Sequence, residues 1–467
     1  MLSMRIAKTD KESCLLYVII SLCAAISGFA YIAGNTDTVL LGFWFVFCAL
    51  LFVFRLEFFM KYIHYEFFLT LNLLGVYMID NYSFYLQELR TYSRDYDAFG
   101  PIVIIHFVFM FLLLIIDRYF APRDLKPMNI VKIEFQNRNV IETVIVIIGI
   151  VFQSMVLYLL INALMKPSFA YGYDRFEYAQ RIISGNWAKL SKLSNWMIPV
   201  IPMLLVNKKR VLALSSLLTY SLYLFLIGNK FGALFNLFIL LIPYLFVTFK
   251  LNKIEWKTLL ILFLVLLGVS VVFILILFVF HKLTYGYDWN QFVEYLGQRI
   301  AQQGQIWWGV YGKCKGVPMH FNEINDEIIG FWGMDDVSVH NMNYGIYKMM
   351  ELVTPYENYI AKLLTGSRFT TSTCASIYYY THFWGFIVLL PFAAVILSYF
   401  VNWYWRSLYS NEIIGVIVSW TVIGRLASIY SMSEFQMFFN LKYFTVIVIA
   451  IIIDRYLRYR NKNEIQH

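Results

Sequence analysis

Twelve stretches of this chain are so apolar that few folds remain open to it. They fall near 14–33, 38–54, 65–80, 101–117, 140–165, 195–206, 211–228, 231–248, 258–281, 376–401, 412–429 and 436–453. About 20 apolar residues wound as an α-helix cross the hydrocarbon core of a bilayer. No water is available there, so the backbone must satisfy its own polar groups, and a helix does this within one segment. Three placements stay open: 195–206 is short, with a start nearer 189 as its alternative, 65–80 is flanked by Glu66, and 211–228 and 231–248 are split only by Gly228-Asn229-Lys230. Charged residues make up 14% of the chain, against roughly a quarter in soluble domains. The class expected is an all-α, polytopic integral membrane protein of about twelve transmembrane helices. The run at 14–33 is longer than a signal-peptide core and reads as a retained first span.

With twelve spans, both termini share one side, and the loop charges choose which. Taking the N-terminus as cytoplasmic, the inner segments hold 21 Lys and Arg in about 82 residues, and the outer ones 15 in about 155. Cytoplasmic loops carry the excess of Lys and Arg, so both termini are read as cytoplasmic. The formal charge of +9 is then a topology signal, and no nucleic-acid partner is expected. Two outer loops stand out, a moderate one at 166–194 and a long one at 282–375, read as short interfacial helices over the membrane mouth.

Those two loops contain the same short text. Tyr171-Gly172-Tyr173-Asp174 leads to Glu177-Tyr178, Gln180-Arg181-Ile182, Gly185 and Trp187. Tyr285-Gly286-Tyr287-Asp288 leads to Glu294-Tyr295, Gln298-Arg299-Ile300, Gly304 and Trp307. Tyrosine favours the headgroup layer in any membrane protein, but that preference does not explain the shared order. Each copy sets an arginine among aromatic residues at the same face. Arg181, Arg299, Lys230, Arg368 and Arg425 all map to the outer face or its edge. Five cations there suit an anionic group at headgroup depth, such as a phosphate or diphosphate. Arginine binds two oxygens at once and keeps its charge.

His340 is the best candidate for proton transfer. It lies in Asp335-Asp336-Val337-Ser338-Val339-His340-Asn341, and an imidazole titrates near working pH beside a carboxylate that fixes its tautomer. Asp336, Glu294 and Glu323 are alternatives. Neither HExxH nor P-loop spacing occurs, and the five cysteines show no ligand spacing, so no metal and no cofactor are expected. A Cys314–Cys374 disulfide is the one pairing open to the outer cysteines, and is not the expected state.

These features resemble the oligosaccharide repeat-unit polymerases of bacterial envelope glycans, the Wzy-type O-antigen polymerases. The likeness covers most of the length through architecture and short motifs. Arg175 to Gly185 and Arg299 to Gly309 approach the family's arginine-to-glycine spacing. Ile227-Gly228-Asn229-Lys230 resembles its Gly-x-Arg turn, with Lys in the Arg position. Ser376-Ile377-Tyr378-Tyr379-Tyr380 with Gly385 resembles the aromatic approach to the span after the long loop, and Arg425 matches an arginine near the outer end of the next-to-last span. The resemblance implies transfer of a growing glycan from undecaprenyl diphosphate to the next lipid-linked repeat, at the outer face of the bacterial cytoplasmic membrane. It implies that Arg181, Arg299 and Arg425 hold the diphosphate with His340 as base. Arg175, Lys230 and Arg368 assist, and Tyr173, Tyr287 and Trp307 stack on sugars. The implied partners are the lipid-linked oligosaccharide, membrane lipid, a chain-length regulator and a flippase. His340-Asn341 also resembles the O-antigen ligases, so a ligase is one alternative and a lipid-linked oligosaccharide flippase another.

Overall fold

The computed structural model describes residues 37–82, 85–120, 138–171, 178–179, 181–229, 231–248, 286–324, 345–364, 369–370 and 373–432, with scattered positions in 268–282 and 445–456. The run at 14–33 and most of those at 258–281 and 436–453 lie outside them.

The described chain is mostly helical, and four helices are long and apolar enough to cross a membrane. This is a helical membrane protein. The first of the four, α1 (Asp37–Phe54), is followed after Arg55 alone by α2 (Leu56–Asn81). The sequence reading placed a loop at 55–64; the chain instead stays helical there. The two helices are antiparallel, tied by Thr38 to Tyr77 at 2.9 Å and by the Trp44 indole donating to Thr70 at 2.9 Å. A two-strand hairpin, β1 (Tyr85–Leu86) and β2 (Thr91–Tyr92), then leads to α3 (Phe99–Phe120), the second long span. Asp80 caps the start of α3 by accepting from the Phe99 backbone at 2.8 Å.

The third long span is α4 (Arg138–Met165). The run expected at 195–206 begins earlier, as α5 (Gly185–Met197), and resumes as α6 (Val200–Val206) after Ile198-Pro199. Next come α7 (Arg210–Leu226) and α8 (Phe231–Thr248), then the short helices α9 (Trp289–Ala301), α10 (Gln305–Cys314), α11 (Gly345–Val353), α12 (Tyr356–Leu364) and α13 (Thr373–Thr381). The fourth long span is α14 (Trp384–Ser410), and α15 (Ile413–Met432) closes the described bundle. The single run read at 376–401 is therefore two helices, broken at His382, whose φ is 48°. Residues 402–410, expected as an inner loop, continue α14, with Trp403, Tyr404 and Trp405 buried.

Polar groups sort toward the two ends of this bundle. At one end, Lys61 is buried with its ammonium 3.0 Å from Asn402 Oδ1, 2.9 Å from Glu57 and 3.6 Å from Asp117. Asp117 also accepts from the Tyr62 hydroxyl and the Asn402 amide, each at 2.7 Å. A buried ion needs such partners, because ionic attraction alone does not offset its lost hydration. At the same end, Asn207 and Asn411 exchange side-chain amide bonds of 2.8 and 3.3 Å between the α6–α7 and α14–α15 turns.

At the other end the short helices form a cap. Helix α9 starts with a capping box: Asp288 accepts from the Gln291 backbone at 2.8 Å, and Gln291 accepts from the Asp288 backbone at 3.0 Å. Its C-terminal turn meets α2 backbone to backbone. A Cβ on Gly75 would lie 2.5 Å from the Gly304 nitrogen. Beside that contact, the Asn72 amide donates to the Gln303 carbonyl at 2.8 Å, and Asn72 Oδ1 sits 3.1 Å from His106 Nε2. His106 is thus held within the core. Carbonyls of the hairpin and of the irregular stretch before α3 are satisfied from the cap: Trp307 donates to Ala98 at 2.8 Å, Trp308 to Arg94 at 3.0 Å, and Gln298 to Tyr85 at 2.8 Å.

Two stability predictions follow from these joints. Gly75→Ala or Gly304→Ala should destabilise by about 1–3 kcal/mol through overpacking and expose the 286–324 segment to protease while the bundle stays folded. Lys61→Met, which strands Asp117, should cost about 3–5 kcal/mol in detergent unfolding, and Lys61→Met with Asp117→Leu should recover most of it.

Candidate functional site

The cap contains a cluster of polar groups assembled by local geometry. Residues Phe321–Glu323 form one 3-10 turn preceded by His320. Three residues per turn place side chains i and i+3 over one another. His320 Nδ1 accordingly lies 3.1 Å from Glu323 Oε1. The other carboxylate oxygen accepts from the Tyr379 hydroxyl at 3.0 Å and faces Lys348 Nζ at 3.7 Å. The imidazole stacks on the Tyr379 ring, with centroids 4.2 Å apart and planes 5° from parallel, and the His320 backbone donates to the Tyr379 carbonyl at 3.4 Å. Tyr379 is itself buried on α13. Burial and the adjoining Glu323 carboxylate hold its phenol well above the usual tyrosine range, so it stays a donor. The His320 side chain is 32% exposed, leaving the ring edge open to water. An imidazole oriented by a carboxylate and still reachable can accept or deliver a proton.

Around this cluster the cap is stitched by ions and amides. Glu88, in the hairpin turn, pairs with Lys362 at 3.1 Å and accepts from Gln305; Arg90 lies 3.6 Å from Glu357, and Lys315 lies 3.1 Å from Asp97. Among the described residues no group of three or more His, Cys, Asp or Glu side chains is arranged to hold a metal ion.

The residues singled out from the sequence divide three ways. Arg175, Tyr173, Lys230, Arg368 and His340 lie outside the described residues. Arg181 and Arg299 are exposed, and Arg425 is half-buried two-thirds of the way along α15. Arg299 donates to Gln302 at 2.9 Å and lies 6.0 Å from the centroid of Tyr295. Tyr287 is half-buried with its ring 6.3 Å from that of Tyr295. Trp307 is a correction: it is fully buried, its indole bonded to Ala98 and its ring stacked on Tyr311 at 5.4 Å, so it offers no face to a sugar.

The repeated text gains a physical meaning from this division. In both copies the arginine is exposed and the following tryptophan is buried, Trp187 against Tyr178 in the first and Trp307 against Tyr311 in the second. Tyr178 is anchored in turn by its hydroxyl on the Lys166 carbonyl. The His320–Glu323 pair was missed as a pair. Its signal was the His-x-x-Glu spacing of His320-Phe321-Asn322-Glu323, which means nothing until a 3-10 turn brings the ends together.

Residues 340–447 match a protein family of unknown function, DUF6418. That segment runs from His340 through α15 and includes Arg368 and Arg425. No curated protein and no solved structure matches the chain.

Cys314 and Cys374 are both buried, and neither is in a disulfide. Burial pushes the Cys314 thiol up to about 11. In variants keeping only one of them, a maleimide at neutral pH should leave either cysteine unlabelled in the folded chain and label it fully in denaturing detergent.

Proposed function

We propose that this chain is a polymerase of lipid-linked oligosaccharide repeat units in the bacterial cytoplasmic membrane, with about twelve spans, both termini cytoplasmic and the cap outside. The observation that carries the reading is the cap itself. The 282–375 segment contributes short helices seated on the bundle end, and α13, with Tyr379, packs against α15, the helix of Arg425. A water-facing surface with exposed cations on a membrane bundle suits a lipid-anchored substrate whose reactive group sits at headgroup depth.

In this reading the growing glycan arrives on undecaprenyl diphosphate, and its reducing-end sugar passes to a hydroxyl of the next lipid-linked repeat. The leaving diphosphate gathers negative charge as the bond breaks. Cations fixed in advance stabilise that charge without having to reorganise. Arg181, Arg299 and Arg425 take this role, assisted by Arg175, Lys230 and Arg368. Tyr173 and Tyr287 offer ring faces to sugars. His340 is the base that the resemblance implies.

The alternatives differ in what accumulates. A ligase shares the donor but attaches glycan to a lipid core, and a flippase moves the unit without bond chemistry. Arg181→Ala, Arg299→Ala and Arg425→Ala, each checked for membrane insertion, should leave cells displaying single repeat units where the parent displays long chains. Loss of about 10²–10³-fold in elongation is expected for each. Long chains retained in all three variants would remove the diphosphate assignment. Loss of all surface glycan on deletion of the protein would indicate the ligase or flippase instead.

A further inference from the structure

We propose that His320, oriented by Glu323, is the proton acceptor for the sugar hydroxyl that attacks the lipid-linked donor. This assignment rests on the polymerase reading and moves the base from His340 to a residue whose surroundings are built for the task.

Three features of the site carry it. First, the bond from Nδ1 to the Glu323 carboxylate, 3.1 Å long, places the imidazole proton on Nδ1 and leaves the Nε2 lone pair as the accepting site. Among the described residues, Nε2 has no hydrogen-bond partner. Second, the ring is held flat against Tyr379 at 4.2 Å, and the backbone of His320 is bonded to the same residue. Both contacts restrict the imidazole to one orientation before any substrate arrives. Third, Glu323 is shared: Tyr379 donates to it and Lys348 stands 3.7 Å away. A histidine serving only to fill space would be closed off with both nitrogens satisfied. This one is braced at Nδ1, is 32% exposed as a side chain, and among the described residues has nothing bonded at Nε2.

The step balances without any further reagent. The acceptor hydroxyl gives its proton to His320 Nε2 as its oxygen bonds to the anomeric carbon. The bond from that carbon to the diphosphate oxygen breaks, and undecaprenyl diphosphate leaves with the electron pair. Glu323 stabilises the resulting imidazolium, which then passes its proton to water. Lys348 opposes that positive charge, while Glu351, 3.9 Å from Lys348, partly offsets it. Tyr379 and the buried Cys314 thiol are the other titratable groups facing the cluster.

The test uses the full-length protein in membranes supplied with lipid-linked repeat units, with elongation rate followed across pH. His320→Ala should slow elongation by about 10²-fold or more, and added imidazole should restore part of the rate. His320→Gln, which keeps the volume and a polar edge, should be equally slow. Glu323→Gln should lower the rate by less than His320→Ala does, because the imidazole keeps its place but loses the carboxylate that orients it. Wild-type rates in His320→Gln, a His320→Ala defect that imidazole leaves untouched, or a wild-type rate in Glu323→Gln would each overturn the assignment. If wild-type membranes themselves fail to elongate, the polymerase reading falls and this assignment with it; if they elongate and only the His320 results fail, the reading stands alone.

Discussion

The cap is joined to the bundle through a contact that admits no side chain. Gly75 and Gly304 bring two backbones together where a Cβ on either would overlap the other chain. Such closeness removes water from the joint, so the polar groups around it must bond to one another. Asn72 does most of this, donating its amide to the Gln303 carbonyl while its oxygen accepts from His106. Gln303 then reaches Thr370 at 2.9 Å. The α9–α10 turn, the far end of α2 and the approach to α13 are thus fixed relative to each other by one knot of short-range contacts.

A joint of this kind matters because the candidate chemistry lies on short helices. Helices of nine to thirteen residues are marginal alone, and the cap helices fall in that range. Their order comes from tertiary partners. The indoles of Trp307 and Trp308 are spent on carbonyls before α3, and Glu88 holds α12 through Lys362. The ring of Tyr379 is fixed because nearly all of α13 is buried, and the ring in turn fixes His320. At the opposite end, the Lys61–Asp117–Asn402 network and the Asn207–Asn411 exchange hold the long helices in register. The bundle is therefore a rigid support with polar fastenings at both ends.

The repeated segments show how one text serves two purposes. Read as sequence, the tyrosines, arginine and tryptophan of each copy looked like one binding surface. Folded, each copy divides: the tryptophan goes inward and the arginine stays outside. Indole has a large apolar area, so burial suits it, and in the second copy the Trp307 donor also finds the Ala98 carbonyl. Guanidinium has no apolar counterpart to that gain, and it remains at the water-facing edge. From the sequence Glu323 reads as a separate candidate base, with nothing to join it to His320. Their partnership depends on a turn type that no hydrophobic period announces.

What the residues alone determined is the solvent this chain folds in. Apolar runs of this length and number leave the backbone to satisfy itself, so helices across a bilayer follow from composition and spacing. Their ends were less legible. Lys61 and Arg406 sit inside helices that run past the ends of the apolar stretches; Lys61 has buried partners in Asp117 and Asn402, so its charge does not end the helix. Only the tertiary structure decided which polar side chains face one another. The Lys61 ammonium and the Asn402 amide are 341 positions apart, and Glu323 meets Tyr379 across 56. Contacts between distant residues depend on how helices pack, and packing is set by shape and by the whole chain at once. No local pattern carries that information.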